Sequence, residues 1–181
     1  HEEEIKNPDF VFKGSFLGVI GNLEAYKQNV RYVDQDLNRS WSYQGYKEIS
    51  GKPKEQLNAE QKQILEIIDE LRHEISRAFP REMIVLDLHT TSAHGGIFSL
   101  TTDDSLSIKM AIELHAPVIK GMLRGINNSS IHFFHGQNMG IPTTAIGFEC
   151  GQHEDPTSVN IGVAAIINCM RTIGCVNSKD V

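Results

Sequence analysis

The sequence predicts an α/β fold with a mostly parallel sheet. A strongly periodic helix over residues 58–79 is followed directly by MIVLDLH, an apolar run typical of a strand buried on both faces of a parallel sheet. A second clear helix follows the last apolar strand. Helices that alternate with buried strands are the pattern of α/β proteins. With 181 residues, the chain is long enough to fold as one domain.

The first predicted element is a strand over residues 11–19. Its sequence, VFKGSFLGV, is rich in aromatic and β-branched residues and runs into a turn at Gly21-Asn22. Residues 23–56 are polar and have no sustained period, which predicts a long, loop-rich segment. The arginines, the tyrosines and Trp41 of this segment favour a functional loop.

The helix over residues 58–79 has the strongest signals in the chain. Asn58 can cap it, and Gln61 stands three residues later, as in a capping box. Pro80 ends the helix. The apolar side chains with helical spacing are Ile64, Leu65, Ile68, Leu71, Ile75 and Phe79.

Weaker signals follow the buried strand. They predict a helix over residues 104–115, a short strand or turn over 117–123 and a strand over 143–148. The final helix is clear again, because Asp155-Pro156 sets up its start and Gly174 is a typical stop.

The composition excludes several classes of function. Lysine and arginine number 17 against 23 aspartate and glutamate residues, so no basic stripe is available to follow a nucleic-acid backbone. No apolar run approaches the roughly 20 residues of a membrane span, which predicts a protein without a membrane segment. The three cysteines form no CxxC pair, so a reducing, cytoplasmic location fits best. A homo-oligomer is left open.

Asp87 and His89 form the first candidate site. They lie at the C-terminal end of the buried strand, where ligands bind in open α/β sheets, and the polar residues Thr90, Thr91 and Ser92 follow them. Side chains alternate along a strand, so Asp87 and His89 face the same way and the carboxylate can orient a metal-binding imidazole. The alternative is a histidine with a purely structural role.

A second candidate is the segment Asp36-Leu37-Asn38-Arg39, with Trp41 close behind. The guanidinium of Arg39 is a planar fork of donors that matches a carboxylate, and Asn38 adds an amide beside it. The alternative is that Arg39 is an ordinary solvated side chain of a surface loop.

A third candidate is Glu149, which ends the strand over residues 143–148 in the sequence GFECG. Burial there would raise the pKa of its carboxyl and suit it to general-base catalysis. The alternative is a strand-end carboxylate paired with a lysine or arginine. His153 is open among a metal ligand, a substrate contact and a neighbour of a helix cap. Other histidines show no spacing typical of a mechanism and are expected to be structural or solvated: His94, His115, His132 and His135.

Taken in order, the Asn-Arg loop, the strand ending in DLH before Thr-Thr, and the strand ending in a glycine-flanked glutamate resemble the succinylglutamate desuccinylase/aspartoacylase family of zinc-dependent deacylases. The stretch GNLEAYKQNVRYVDQDLNRSW is especially similar, and it also resembles the Asn-Arg loop of the wider zinc carboxypeptidase class. The resemblance runs from about residue 11 to residue 173. It implies a zinc-carboxypeptidase-like α/β sandwich of three layers, in which a mixed, mostly parallel sheet has helices on both faces. It also implies a single catalytic-type domain over residues 1–181.

The resemblance implies roles for four residues. His89 would be a zinc ligand. Glu149 would be the general base that takes a proton from the attacking water and later returns it to the departing amine. Asn38 and Arg39 would hold a carboxylate of a small-molecule substrate. Zinc would be the cofactor, and it would polarise the scissile carbonyl.

The sequence also departs from the family. The family's other two zinc ligands come from an H-x-x-E motif, usually His-Gly-Asn/Asp-Glu, well upstream of the Gly-Asn turn. His1 and Glu4 have this spacing, but the intervening Glu2-Glu3 lacks the glycine, so we interpret the match as chance. The family's C-terminal β-rich domain is not found either. We therefore expect the middle of a longer protein, in which one histidine alone binds zinc weakly.

These observations predict a zinc-dependent hydrolase that cleaves the amide bond of an N-acyl amino acid. Two rivals stay open. One is a metallocarboxypeptidase that removes C-terminal residues from peptides, and the other is a non-catalytic carbohydrate- or amino-acid-binding domain of the same fold. A complete H-x-x-E motif upstream would favour the enzymes, and assays of acyl-amino acids beside peptides would separate those two.

Overall fold

A computed structural model describes residues 9–92, 96–177 and 179. In these residues the chain forms two compact units. The first unit contains the described residues up to 15, residues 84–123 and the described residues from 144 onward. The second unit contains residues 16–83 and 124–143. The single catalytic-type domain expected over residues 1–181 stays a prediction.

Among the described residues, four strands form one sheet in the order β1, β4, β2, β3. They are β1 (Met83–Thr91), β2 (Phe98–Thr101), β3 (Val118–Ile119) and β4 (Thr143–Gln152). β2 runs parallel to β3 and antiparallel to β4, with Phe98 opposite Glu149. The N–H of His153, just after β4, donates to the carbonyl of Thr91 at the end of β1, at 3.1 Å. The C-terminal ends of β1 and β4 are therefore adjacent. Because the sheet contains both parallel and antiparallel pairs, the predicted mixed sheet is confirmed.

β1 is less buried than its apolar sequence predicts. Its residues 83–87 are half-buried and Leu88 is exposed, whereas residues 143–148 of β4 are all buried. Among the described strands, β1 lies at the edge of the sheet and β4 lies between β1 and β2. The strand itself is confirmed, but the prediction that it is buried on both faces is wrong for this reason.

The described helices are α1 (Leu23–Gln28), α2 (Tyr43–Ser50), α3 (Ala59–Ala78), α4 (Ser105–Ile112), α5 (Ser130–Phe134) and α6 (Ser158–Thr172). Asn58 and Gln61 form the predicted capping box of α3, and the side chain of Asp104 caps α4. Gly174 follows α6 with a φ of 77°, a left-handed conformation that favours glycine. The three helices predicted from the sequence are confirmed. In the described part of the chain, no helix combines the length and the hydropathy that a membrane crossing requires.

Residues 11–19 do not form the predicted strand. Gly14 has a φ of 99°, which interrupts an extended backbone, and the N–H of Lys13 donates to the carbonyl of Cys175 at 2.8 Å. A strand needs a partner along its whole length to satisfy its N–H and C=O groups. Aromatic and β-branched composition does not supply that partner.

The segment from 23 to 56, expected to be loop-rich, contains two short helices. Asn22 caps α1 and Ser42 caps α2, in each case by accepting a hydrogen bond from the backbone three residues later. The sequence analysis also missed β2 and α5. Elements this short show too few repeats of a helical or strand period to be recognised.

The core of the first unit determines which face of β4 remains for a site. One face of β4 packs against α4 and α6. The buried members of this core are Met110, Ala111, Leu114, Ile146, Phe148, Cys150, Ala165 and Cys169. Side chains alternate along a strand, so Glu149 projects from the face opposite to Phe148 and Cys150.

Candidate active site

Asp87 and His89 project from the same face of β1, as their spacing predicts. Oδ1 of Asp87 lies 3.0 Å from Nε2 of His89. The side chains of His89 and Asp87 are 35% and 24% exposed, so solvent reaches both only partly. A carboxylate bound to one ring nitrogen fixes the orientation and tautomer of the imidazole, as it does behind many metal-bound histidines. The histidine is therefore oriented by its own strand.

Glu149 does not end its strand. β4 continues to Gln152, so the expectation of a strand ending at residue 148 is wrong. Backbone pairing at the sheet edge explains the extension, because the N–H of His153 still donates to Thr91 of β1. Gly151, with a φ of 100°, lets the backbone follow this path.

The carboxyl of Glu149 is in an unusual environment. Its Oε2 is buried and has no hydrogen-bond partner among the described residues. Burial raises the pKa of Glu149 above its usual value, the charge of Asp87 raises it further, and His89 and His153 lower it when they are protonated. The charged groups that act on Glu149 are Asp87, His89 and His153, and none of them is a lysine or arginine. Among the described residues, the alternative of an ion pair between Glu149 and a lysine or arginine therefore has no support. A carboxyl with a raised pKa is suited to proton transfer near neutral pH.

His153 joins this cluster through the end of β1. Its Nδ1 lies 2.7 Å from Oγ1 of Thr90, and its backbone N–H donates to Thr91. The sequence leaves the role of His153 open and indicates no separate role for Thr90. The signal that could have found them is topological, because both residues follow or end strands that are neighbours in the sheet. That neighbourhood is not visible in a single sequence.

The other described histidines, including His73 on α3, do not lie on β1 or β4. Nδ1 of His132 lies 3.0 Å from Oγ of Ser129, within the first turn of α5, which is a local capping contact. His115 and His135 follow α4 and α5. His94, like His1 and Glu4, lies outside the described residues.

Asn38 and Arg39 lie in the second unit, on the 3-10 turn Leu37–Arg39. Asp36 caps this turn, because its Oδ1 accepts a hydrogen bond from the N–H of Asn38 at 3.0 Å. Arg31 pairs with the same carboxylate through Nη2 at 2.8 Å. Asn38 is half-buried and Arg39 is exposed, with its Nη1 donating to the carbonyl of Asn38 at 3.2 Å. The local backbone thus holds the turn, while the guanidinium faces solvent.

Trp41, which the sequence placed with the functional loop, is a core residue. It is buried, and its ring centroid lies 5.4 Å from that of Phe133 and 4.9 Å from that of Phe134. Tilted aromatic packing of this kind stabilises the second unit. A direct contact of Trp41 with a ligand is therefore not supported.

The described residues do not complete a zinc site by themselves. Within residues 9–92, 96–177 and 179, no three His, Cys, Asp or Glu side chains converge in a group able to hold a metal ion. A catalytic zinc is bound by three protein ligands. His89, oriented by Asp87 and next to a buried carboxylate oxygen without a partner, fits one position of such a site. A zinc ion here would need further ligands from outside the described residues.

Comparison with known families gives one match over most of the chain. A family model described as the Succinylglutamate desuccinylase/Aspartoacylase catalytic domain matches residues 5–173. This range contains Asn38, Arg39, His89 and Glu149. No curated protein matches the sequence significantly.

The fold is similar to that of several solved structures. The succinylglutamate desuccinylase from Chromobacterium violaceum is 15% identical with a TM-score of 0.58, and the match covers 92% of this chain and 54% of that one. The product-bound ectoine utilization protein EutE (DoeB) from Ruegeria pomeroyi is 15% identical with a TM-score of 0.60, covering 87% and 46%. A succinylglutamate desuccinylase/aspartoacylase from Rhodobacter sphaeroides is 17% identical with a TM-score of 0.55, covering 87% and 44%. This similarity confirms the predicted fold class. The chain spans about half the length of the solved structures that it matches.

Proposed function

The chain belongs to the succinylglutamate desuccinylase/aspartoacylase family, and from that premise we propose that it carries catalytic residues of a zinc-dependent hydrolase acting on the amide bond of N-acyl amino acids. The observation that carries the proposal is the environment of Glu149. One of its carboxylate oxygens is buried without a partner, and burial and the charge of Asp87 raise its pKa against the opposing effect of the oriented His89. Glu149 is half-buried, and a buried oxygen that no hydrogen bond satisfies costs stability, which favours a functional role over a structural one.

Each side chain has a distinct role in this proposal. Glu149 acts as the general base, accepting a proton from the attacking water and returning it to the departing amine. His89 is one ligand of the metal, and Asp87 holds its ring in place. A zinc ion, when bound, supplies Lewis-acid polarisation of the scissile carbonyl. Asn38 and Arg39 bind the carboxylate of the amino acid, since a guanidinium can donate two parallel hydrogen bonds to it.

The proposal is tested with the full-length protein and two matched substrate sets. N-acetyl and N-succinyl amino acids are assayed beside dipeptides that end in the same amino acids, before and after treatment with a chelator and after zinc is added back. We expect hydrolysis of N-acyl amino acids that is lost on chelation and restored by zinc. Hydrolysis of the dipeptides alone would favour the metallocarboxypeptidase. Binding without hydrolysis of either set would favour the non-catalytic domain.

The cysteines support a cytoplasmic location as part of this proposal. Three cysteines without a CxxC pair are typical of a protein from a reducing compartment. Burial raises the pKa of Cys169 to about 11, so this thiol is protonated at neutral pH and unsuited to nucleophilic catalysis.

A further inference from the structure

Glu60 is a buried carboxylate with an unusually complete set of hydrogen bonds. It is the second residue of α3, and its side chain is 0% exposed. Oε1 accepts from the N–H of Val33 at 2.6 Å and from Nδ2 of Asn22 at 3.0 Å. Oε2 accepts from the N–H groups of Asp34 at 3.1 Å and Gln35 at 3.2 Å. Glu60 thus binds three consecutive backbone amides of a segment far away in sequence.

The same segment is tied to α3 from its own side. Oδ2 of Asp34 accepts a hydrogen bond from the N–H of Ala59 at 2.9 Å, in the first turn of α3. Asp36, two residues after Asp34, caps the turn that carries Asn38 and Arg39. The start of α3 is therefore hydrogen-bonded to residues 33–35, and the next residue, Asp36, is hydrogen-bonded to this turn.

The ionised state of Glu60 reinforces this arrangement. Burial acts to raise the pKa of its carboxyl, but the hydrogen bonds from residues 33–35 and Asn22 together outweigh burial and lower the pKa. Glu60 is therefore charged at neutral pH, and a carboxylate binds amide donors more strongly than a neutral amide oxygen does. It orders three successive residues that lie directly before the turn.

We propose that Glu60 is a positioning residue for the recognition of a substrate carboxylate, because it fixes the backbone from which Asn38 and Arg39 act. The inference rests on the proposed function, in which those two residues bind the carboxylate of an N-acyl amino acid. The side chain of Arg39 is exposed, so little packing fixes its position. The position of its guanidinium therefore depends on the position of the backbone of the turn Leu37–Arg39. Glu60 itself touches no substrate.

The decisive variant is Glu60→Gln in the full-length protein. Gln has the same shape, but its NH2 group would face N–H donors that now bind a carboxylate oxygen. The matched control is Glu70→Gln, an exposed glutamate on the same helix. A milder second variant, Asn22→Ser, keeps a residue able to cap α1 and removes one donor to Glu60. It carries the test if Glu60→Gln does not fold.

We expect Glu60→Gln to raise the KM for an N-acyl amino acid by about tenfold and to change kcat by less than about twofold, since a displaced binding group mainly weakens substrate binding. The KM for the corresponding N-acyl amino acid amide, which lacks the carboxylate, should stay the same. Asn22→Ser should shift KM in the same direction by less, and Glu70→Gln should not shift it. In an Arg39→Ala background, Glu60→Gln should add a much smaller rise, because only Asn38 is then left to be displaced.

Three outcomes would overturn the inference: an unchanged KM in folded Glu60→Gln or Asn22→Ser protein, an equal loss on the amide substrate, or a full effect in the Arg39→Ala background. A second measurement separates this inference from the proposed function. If the wild-type protein hydrolyses no N-acyl amino acid, the proposed function fails. The inference about Glu60 is then tested by the dissociation constant of succinate, which is measured from the NMR signal of the Arg39 Nε–H group. Weaker succinate binding in Glu60→Gln than in Glu70→Gln supports it. Equal binding, or no response of Arg39 to succinate, overturns it.

Discussion

Oδ1 of Asp87 lies 3.0 Å from Nε2 of His89, two residues later on the same strand. The contact is local, because residues i and i+2 of a strand share a face. It commits one of the two ring nitrogens to a carboxylate, so the imidazole has a defined tautomer and orientation before any ligand arrives. This order is what a metal-binding histidine needs.

The metal is the subject of the first prediction. We expect about one zinc per chain in the full-length protein, Asp87→Asn to weaken zinc binding by about 10- to 100-fold, and His89→Ala to abolish both zinc binding and activity. The measurement is zinc content by mass spectrometry, together with competition against a chelator. Asp69→Asn, an exposed carboxylate on α3, is the control and should bind zinc like the wild type. Unchanged zinc content in folded His89→Ala protein would exclude His89 as a ligand.

Glu149→Gln tests the general base. Gln keeps the shape and cannot accept the proton, so kcat should fall by roughly 10²–10⁴-fold while zinc content and KM stay nearly the same. The base works only when deprotonated, so wild-type activity should fall as the pH drops through the pKa of Glu149. Burial raises this pKa in the metal-free protein, and a zinc ion bound nearby would act in the opposite direction. Steady-state rates across the pH range should show that the variant lacks this acidic limb.

Unfolding measurements are the control for Glu149→Gln. A raised pKa means that the folded state favours the protonated carboxyl, so the ionised form destabilises the fold at neutral pH. The neutral Gln should therefore leave the metal-free protein at least as stable as the wild type at pH 7. If instead the variant unfolds and its activity per folded molecule is unchanged, Glu149 is structural. His153 and Asp87 would then be the next candidates for the base.

Features that depend on residues close together in the sequence could be predicted, and features that depend on residues far apart could not. The capping box of Asn58 and Gln61 and the shared face of Asp87 and His89 depend on residues two or three positions apart, and both predictions are confirmed. The contact between Thr90 and His153 depends on β1 and β4 being neighbours, which no local pattern reveals. It was therefore missed.

Glu60 shows the same limit more sharply. A glutamate in the first turn of a helix is usually solvated and interacts favourably with the helix dipole. Nothing in the sequence therefore indicates that Glu60 is buried. Its four donors lie 25 to 38 residues earlier in the chain. The prediction of a strand over residues 11–19 was wrong for a related reason. Composition gives a residue segment only a preference for the strand conformation, and a strand forms only where a neighbouring strand pairs with it.

Acid stability tests the burial of Glu60 directly. Its pKa is lowered in the folded state, so its carboxylate stabilises the fold above the ordinary value of 4.5, and this contribution is lost as the pH falls through the lower pKa of the folded protein. We expect the free energy of unfolding in urea to fall over this acidic range in the wild type and in Glu70→Gln. In Glu60→Gln the free energy should be lower at neutral pH and should change less with acid. An equally steep fall in Glu60→Gln would show that another group is responsible.

The last prediction concerns Arg39, on which substrate recognition depends. Arg39→Lys keeps the charge but replaces a planar fork with a single ammonium group, so at least one charge-assisted hydrogen bond to the carboxylate is lost. Such a bond is worth roughly 1.5–3 kcal/mol, so kcat/KM for an N-acyl amino acid should fall by about tenfold or more. The corresponding amide substrate should be hydrolysed at an unchanged rate. Arg77→Lys, an exposed arginine that pairs with Glu74 on α3, is the control and should affect neither substrate. An equal loss on both substrates in Arg39→Lys would mean that Arg39 maintains the turn Leu37–Arg39 and does not bind the carboxylate.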